Sequence, residues 1–277
     1  MSTAYAGPDA ASDPTRLDVR NPAPIRFPHA SRETDVIEAV RYIPVVTTVF
    51  AAYFTYLLYQ HWKRHPKRYL LWWMIGVALY GVGTLTEAAT TIFGWNEVVF
   101  RSWYIAGALL GGAPLAQGNA YLLLKQKTAD RITVALLTYV AMAAAFVVLT
   151  PIDTSLVEGH RLAGDVMEWS WVRLFSPLVN TYALFMLVGG AIWSAWRYWR
   201  RADRPAARVR GNALIAVGAL LPGIGGSFTR AGYVEVLYVT EIVGLACIFL
   251  GYRMIAADSA RSIHTAQQAQ PAAAEAT

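Results

Sequence analysis

Residues 69–95 read YLLWWMIGVALYGVGTLTEAATTIFGW. Between Tyr69 and Phe93 the only charged side chain is Glu87, and no Lys or Arg lies within ten residues of it on either side. At about 1.5 Å per residue, such a helix spans the roughly 30 Å hydrocarbon core of a bilayer. The segment therefore reads as a transmembrane helix, and the rest of the chain follows the same pattern. Of its 277 residues, 56% are hydrophobic and only 15% charged, against about 25% charged in an ordinary soluble domain. The expected fold is an all-α integral membrane protein, a seven-transmembrane helix bundle with spans near 40–60, 69–93, 101–124, 132–151, 172–196, 209–229 and 233–254. The breaks at 94–97 and 229–235 are tight, so the second and third helices, and the sixth and seventh, should form antiparallel hairpins.

Direction follows from where the cations collect. The three loops on one side hold 13 Lys and Arg, in HWKRHPKR, KQKTADR and RYWRRADRPAARVR. The opposite loops hold four: Arg101, Arg161, Arg173 and Arg230. This places the N-terminus outside, the C-terminus in the cytoplasm, and the protein in the cell inner membrane as a multi-pass chain. Residues 1–35 lack an apolar stretch suited to a cleavable signal, so the first span should direct insertion. Residues 1–35 and 257–277 read as disordered tails around a transmembrane domain at 36–256, being Ala-, Pro- and Ser-rich with little to bury. The net charge of +6 does not indicate nucleic acid, because the cations sit at the ends of apolar runs. The lone Cys247 permits no internal disulfide.

Several chemistries are excluded by what the spans lack. No span holds a Lys for a retinal Schiff base, and the five His (His29, His61, His65, His160 and His264) all lie in tails or loops, which argues against a bundled haem. His61 and His65 have the spacing of a metal pair, but they sit in a basic turn before Pro66 and read as solvated interfacial residues. No P-loop, HExxH or nucleophile elbow is present. No cofactor, metal or catalytic residue is expected, although acid–base work on a lipid at the outer interface is conceivable from Glu, Asn and Tyr.

Ionisable groups at membrane depth are expensive and usually mark function. Glu87 near the end of the second helix and Glu241 near the start of the seventh fall roughly 10–12 Å below the outer surface. Asn180 on the fifth helix reaches a similar level, and Trp103, Tyr104, Arg230 and Glu235 gather at the outer mouth. The expectation is an outward-facing ligand pocket formed by Glu87, Glu241, Asn180, Tyr104 and Trp103, with Arg230 as counter-ion. The competing reading is structural, each Glu bonding a neighbouring Thr or Tyr and joining helices. Gln117, Asn119 and Asn212, nearer the basic side, read as interhelical amide bonds. Gly107, Gly111 and Gly112 suit close helix packing, while Pro114 and Pro222 should kink their helices, Pro222–Gly223 as a hinge. The Trp residues near both interfaces read as anchors.

Between 172 and 254, Ser176, Pro177, Asn180 and Tyr182, the Arg-rich loop, GALLP in the sixth helix and Gly251-Tyr252-Arg253 resemble the seven-helix N-terminal sensor region of bacterial membrane histidine kinases. Arg101-Ser102-Trp103-Tyr104 is a looser match. The resemblance implies a sensor whose output domain follows the seventh helix. The residues after Arg253 hold no dimerisation helix, phospho-acceptor motif or ATP-binding boxes, so the signal is expected to pass to a separate membrane or cytoplasmic partner. The expected function is a sensor-like module binding a small ligand or partner from outside. The alternatives are a transporter using Glu87 and Glu241, and an accessory subunit of a larger membrane complex. The basic inner face suits such a partner or anionic membrane lipids.

Overall fold

The computed structural model describes residues 39–159, 161–203, 205–229 and 232–274. Seven helices within them are long and apolar enough to cross a membrane. They are α1 (Ile43–Arg64), α2 (Arg68–Phe93), α3 (Glu97–Leu123), α4 (Gln126–Leu149), α5 (Ser170–Trp199), α6 (Ala206–Thr229) and α7 (Val234–Ala274). The chain is a multi-pass membrane protein. Arg230 and the tail at 1–35 lie outside the described residues.

Neighbours in sequence pack as antiparallel hairpins, and α7 closes back against α1, while α5 bridges α3 and α6. Lipid cannot supply a hydrophobic driving force between helices, so close contact depends on small residues. The α6–α7 seam meets this need with a heptad of glycines. Gly211 faces Gly251, Gly218 faces Gly244 and Gly225 faces Leu237, one step of seven residues in each helix. A methyl group on Gly218 would stand 2.5 Å from the Gly244 carbonyl oxygen and 2.9 Å from Cys247 Cβ. The α2–α3 hairpin uses the same device, with a methyl on Gly83 standing 3.2 Å from Gly107 Cα and one on Gly76 standing 2.9 Å from Leu115 N.

Proline acts differently in the two hairpins. α6 runs through Pro222 without interruption. Pro222 has no N–H to offer the Gly218 carbonyl. Gly244 lies against both, its Cβ position 2.7 Å from that oxygen and 3.1 Å from Pro222 Cδ. The freed carbonyl thus meets a glycine Cα–H, a weak but recurring helix–helix contact. The expected hinge at Pro222–Gly223 is a packed junction. The interrupted helix is α3, which widens into a π turn at Tyr104–Leu109 and breaks at 110–112 before restarting at Ala113 with Pro114 in its first turn.

Buried amides fasten the middle of the bundle. Gln117 is fully buried. Its Nε2 donates to Ala129 O (3.0 Å) and Thr133 Oγ1 (2.7 Å), and its Oε1 accepts from the Tyr182 hydroxyl at 2.6 Å. Asn119 donates to Met186 O and Leu187 O inside the π turn of α5 at Leu184–Gly189. Asn212, expected to join helices, donates instead to Arg208 O in its own helix (2.8 Å).

Residues 150–159 and 161–169 fold back over the end opposite the basic turns. Ile152 bridges Met167, and Leu162, Val166 and Met167 are buried against Phe100, Tyr104, Val147 and Val172. Arg101 holds this cover to the bundle, its guanidinium donating to the Val147 and Thr150 carbonyls at the end of α4 and to Glu97. A cation suits that helix C-terminus. At the other end, α7 continues past the expected boundary at 257 as helix to Ala274. The composition explains the difference. AADSARSIHTAQQAQ is rich in Ala and Gln, which favour helix, and Asp258 accepts from Arg208 Nε of α6 at 2.8 Å.

Candidate functional site

The Gly83–Gly107 approach brings α2 and α3 together one turn below Glu87. Four residues further along α2 and four back along α3, Glu87 and Trp103 must then face one another. Trp103 Nε1 donates to Glu87 Oε1 at 2.9 Å. Trp103 is therefore a partner of the buried acid as well as an interfacial ring. Its indole also packs against Phe100 and Tyr104, so it joins the Glu87 level to the cover at 150–169.

Glu241 reaches the same point from α7. The carboxyl groups of Glu87 and Glu241 are close neighbours in the interior. Glu87 is only 4% exposed. Neither Glu87 Oε2 nor Glu241 Oε2 meets a protein donor, and both atoms are buried. The neighbouring threonines do not supply one. Thr86 bonds Gly83 O (2.6 Å), and Thr240 bonds Val236 O and Leu237 O (2.8 and 2.9 Å), each within its own helix. Helical Thr hydroxyls commonly turn back to their own carbonyls in this way. The Thr-bonded form of the structural reading is not what the geometry contains.

Two tyrosines flank the pair. Tyr80 sits seven residues before Glu87 on α2 and its hydroxyl donates to the Glu241 carbonyl oxygen at 2.9 Å. Tyr238, three residues before Glu241, is buried beside both acids. Neither stood out in the sequence, although each keeps helical spacing from its acid, which would have pointed to it.

The other expected site residues lie elsewhere. Tyr104 is buried in the cluster beneath the cover and accepts from Ser176 Oγ (3.3 Å). Asn180 is exposed on α5 and donates to Ala108 O on α3 (3.3 Å), not to either carboxyl. Glu235 stands 3.9 Å from Arg41, an exposed pair at the entrance to α7. The five-residue pocket thus resolves into an acid pair with Trp103, and a separate Tyr104–Ser176 contact.

No known protein family matches the chain, and no curated protein or solved structure is significantly similar to it. The chemistry of the site is read from its own atoms. Two carboxylates in contact, removed from water, repel each other and lose their solvation. A shared proton or a small cation held by the two carboxyls would relieve both penalties. Among the described residues, no group of three or more His, Cys, Asp or Glu could hold a metal ion.

Proposed function

We propose that this protein is a sensor-like inner-membrane module that recognises a small ligand or partner from the outer side and acts through a separate partner protein. The Glu87–Glu241 pair is the recognition site, and its ligand is a proton or small monovalent cation. One observation carries this reading: two acids from non-adjacent helices meet in the interior with an unfilled acceptor on each. The site lies at the end away from the basic turns, which supports an outward aspect. Trp103 supports a read-out, since it touches both the acid pair and the cluster under the cover. The resemblance of residues 172–254 to kinase sensor regions points the same way.

Transport is the rival reading, and the interior beneath the pair weighs against it. The cavity at mid-bundle has a volume of about 20 Å³ and is lined mainly by apolar side chains, among them Phe54, Val77, Leu115 and Ile215. It offers no polar continuation from the acids toward the basic end.

Thermal unfolding of the purified full chain, with sodium or methylammonium replacing choline at constant ionic strength, tests the proposal. The wild type should gain stability with the small cation or respond to pH, and Glu87→Gln/Glu241→Gln should lose that response. An identical response in the double variant would sink the site. Cation-coupled uptake into proteoliposomes that Glu241→Gln abolishes would replace sensing by transport.

A further inference from the structure

A second polar feature lies at the opposite end of the bundle and takes no part in the acid pair. α1 and α7 diverge there around a groove of about 570 Å³. On α1 its wall is formed by Tyr56, Leu57, Gln60 and Arg64, which recur at helical spacing on one face, with His65 just past the helix end. Arg253 faces them from α7. His61 and Tyr252 close the wall between the two helices through a 2.6 Å hydrogen bond. His61 is therefore a structural tie and not the solvated residue its loop position suggested.

Two properties distinguish this groove. No acidic residue lines it, and neither Arg64 nor Arg253 forms an ion pair among the described residues. Arg253 lies over the Phe249 ring, while elsewhere at this end Arg68 pairs with Asp130, Arg201 with Asp203 and Arg208 with Asp258. The wall is also graded. It starts aromatic and apolar at Tyr56 and Leu57 and becomes cationic at Arg64, over roughly 12 Å of helix. Tyr56 is 56% exposed, on a face that also presents Tyr53 and Tyr59 outward.

We infer that this groove binds an anionic phospholipid, its phosphate held between Arg64 and Arg253 and its acyl chains lying along Tyr56 and Leu57. A phosphate group explains the two uncompensated guanidiniums, which match its oxygens in planar, multidentate fashion. The apolar half of the groove explains why the phosphate should arrive on a lipid, because a free anion makes no use of it.

The test is thermal unfolding and native mass spectrometry of the full chain in neutral detergent, titrated with phosphatidylglycerol, phosphatidylcholine or inorganic phosphate. Phosphatidylglycerol should raise the melting temperature and remain as a bound adduct, while phosphatidylcholine and inorganic phosphate should do neither. Arg64→Gln/Arg253→Gln should weaken phosphatidylglycerol binding by roughly twentyfold or more. Arg200→Gln/Arg201→Gln, at the same end but off the groove, should leave it unchanged. Equal loss in both double variants would reduce the effect to general surface charge and overturn the inference. A full shift with inorganic phosphate would overturn the lipid assignment. Should the double variant fold poorly, Arg253→Gln alone, read by adduct retention, decides between the same outcomes.

Discussion

The hairpins α2–α3 and α6–α7 are built on the same small-residue contact and differ in what lies one turn beyond it. Along α6–α7, glycine meets glycine at Gly211–Gly251 and Gly218–Gly244, and the one defect, Pro222, is absorbed by Gly244. No charged residue falls between those two glycine contacts, and the ion pair that joins the helices, Arg208–Asp258, lies beyond Gly211 at the basic end. Along α2–α3, Gly83 meets Gly107 and the next turn carries a carboxylate against an indole. Close packing accounts fully for the first seam. In the second it sets the position of a group that packing alone would exclude. A glycine seam in a membrane bundle is therefore a frame, and what matters for function is the residue the frame forces into contact.

Substitutions can break this comparison at graded points. The largest effect should come from filling the α6–α7 seam. Gly218→Val should destabilise by about 3 kcal/mol or more, because the obstructing atoms are Gly244 backbone and Cys247 Cβ, which cannot swing away. Reversible unfolding in mixed micelles measures it, and a small loss would mean the seam is looser than described. Next comes Glu87→Ala, which strands the Trp103 N–H and leaves Glu241 alone. It should lose about 1–3 kcal/mol, whereas Glu87→Gln should lose less because its amide oxygen still accepts from Trp103. Equal losses from the two would show that the Trp103 bond contributes nothing. Gln117→Leu should lose about 1–2 kcal/mol, as three interhelical bonds at modest individual strength disappear. Arg101→Gln should lose about 1 kcal/mol and raise hydrogen exchange in residues 150–169 before it does so elsewhere. Gly223→Ala should change least, within about 1 kcal/mol and toward stability, because a methyl there meets nothing within 4 Å.

The sequence disclosed the elements of this fold more readily than their faces. Bilayer thickness imposes length and apolarity on every span, so seven helices and their order could be read directly. The energetic cost of a buried acid made Glu87 and Glu241 conspicuous for the same reason. What could not be read was rotation about each helix axis. A span that is apolar all round carries little amphipathic signal, so Asn180 was placed inward while it is exposed, and Tyr80 and Tyr238 went unnoticed beside the acids. Trp103 reads from its position both as an interfacial anchor and as a pocket residue, and the Gly83–Gly107 approach turns its N–H onto Glu87. The extension of α7 was missed for a different reason: an Ala- and Gln-rich run has nothing to bury, yet forms helix readily once its first turns are held.

That extension has a mechanical consequence. From Glu241 to Ala274, α7 is a single helix of 33 further residues, about 50 Å of stiff rod. Gly244, which clasps Pro222, sits one turn from Glu241 and forms a natural fulcrum. A tilt of only about 5° around it would sweep the far end sideways by roughly 4 Å, close to the breadth of a helix turn. Under the proposed sensing role, a charge change at the acid pair would reach the far end of α7 as a movement of that size.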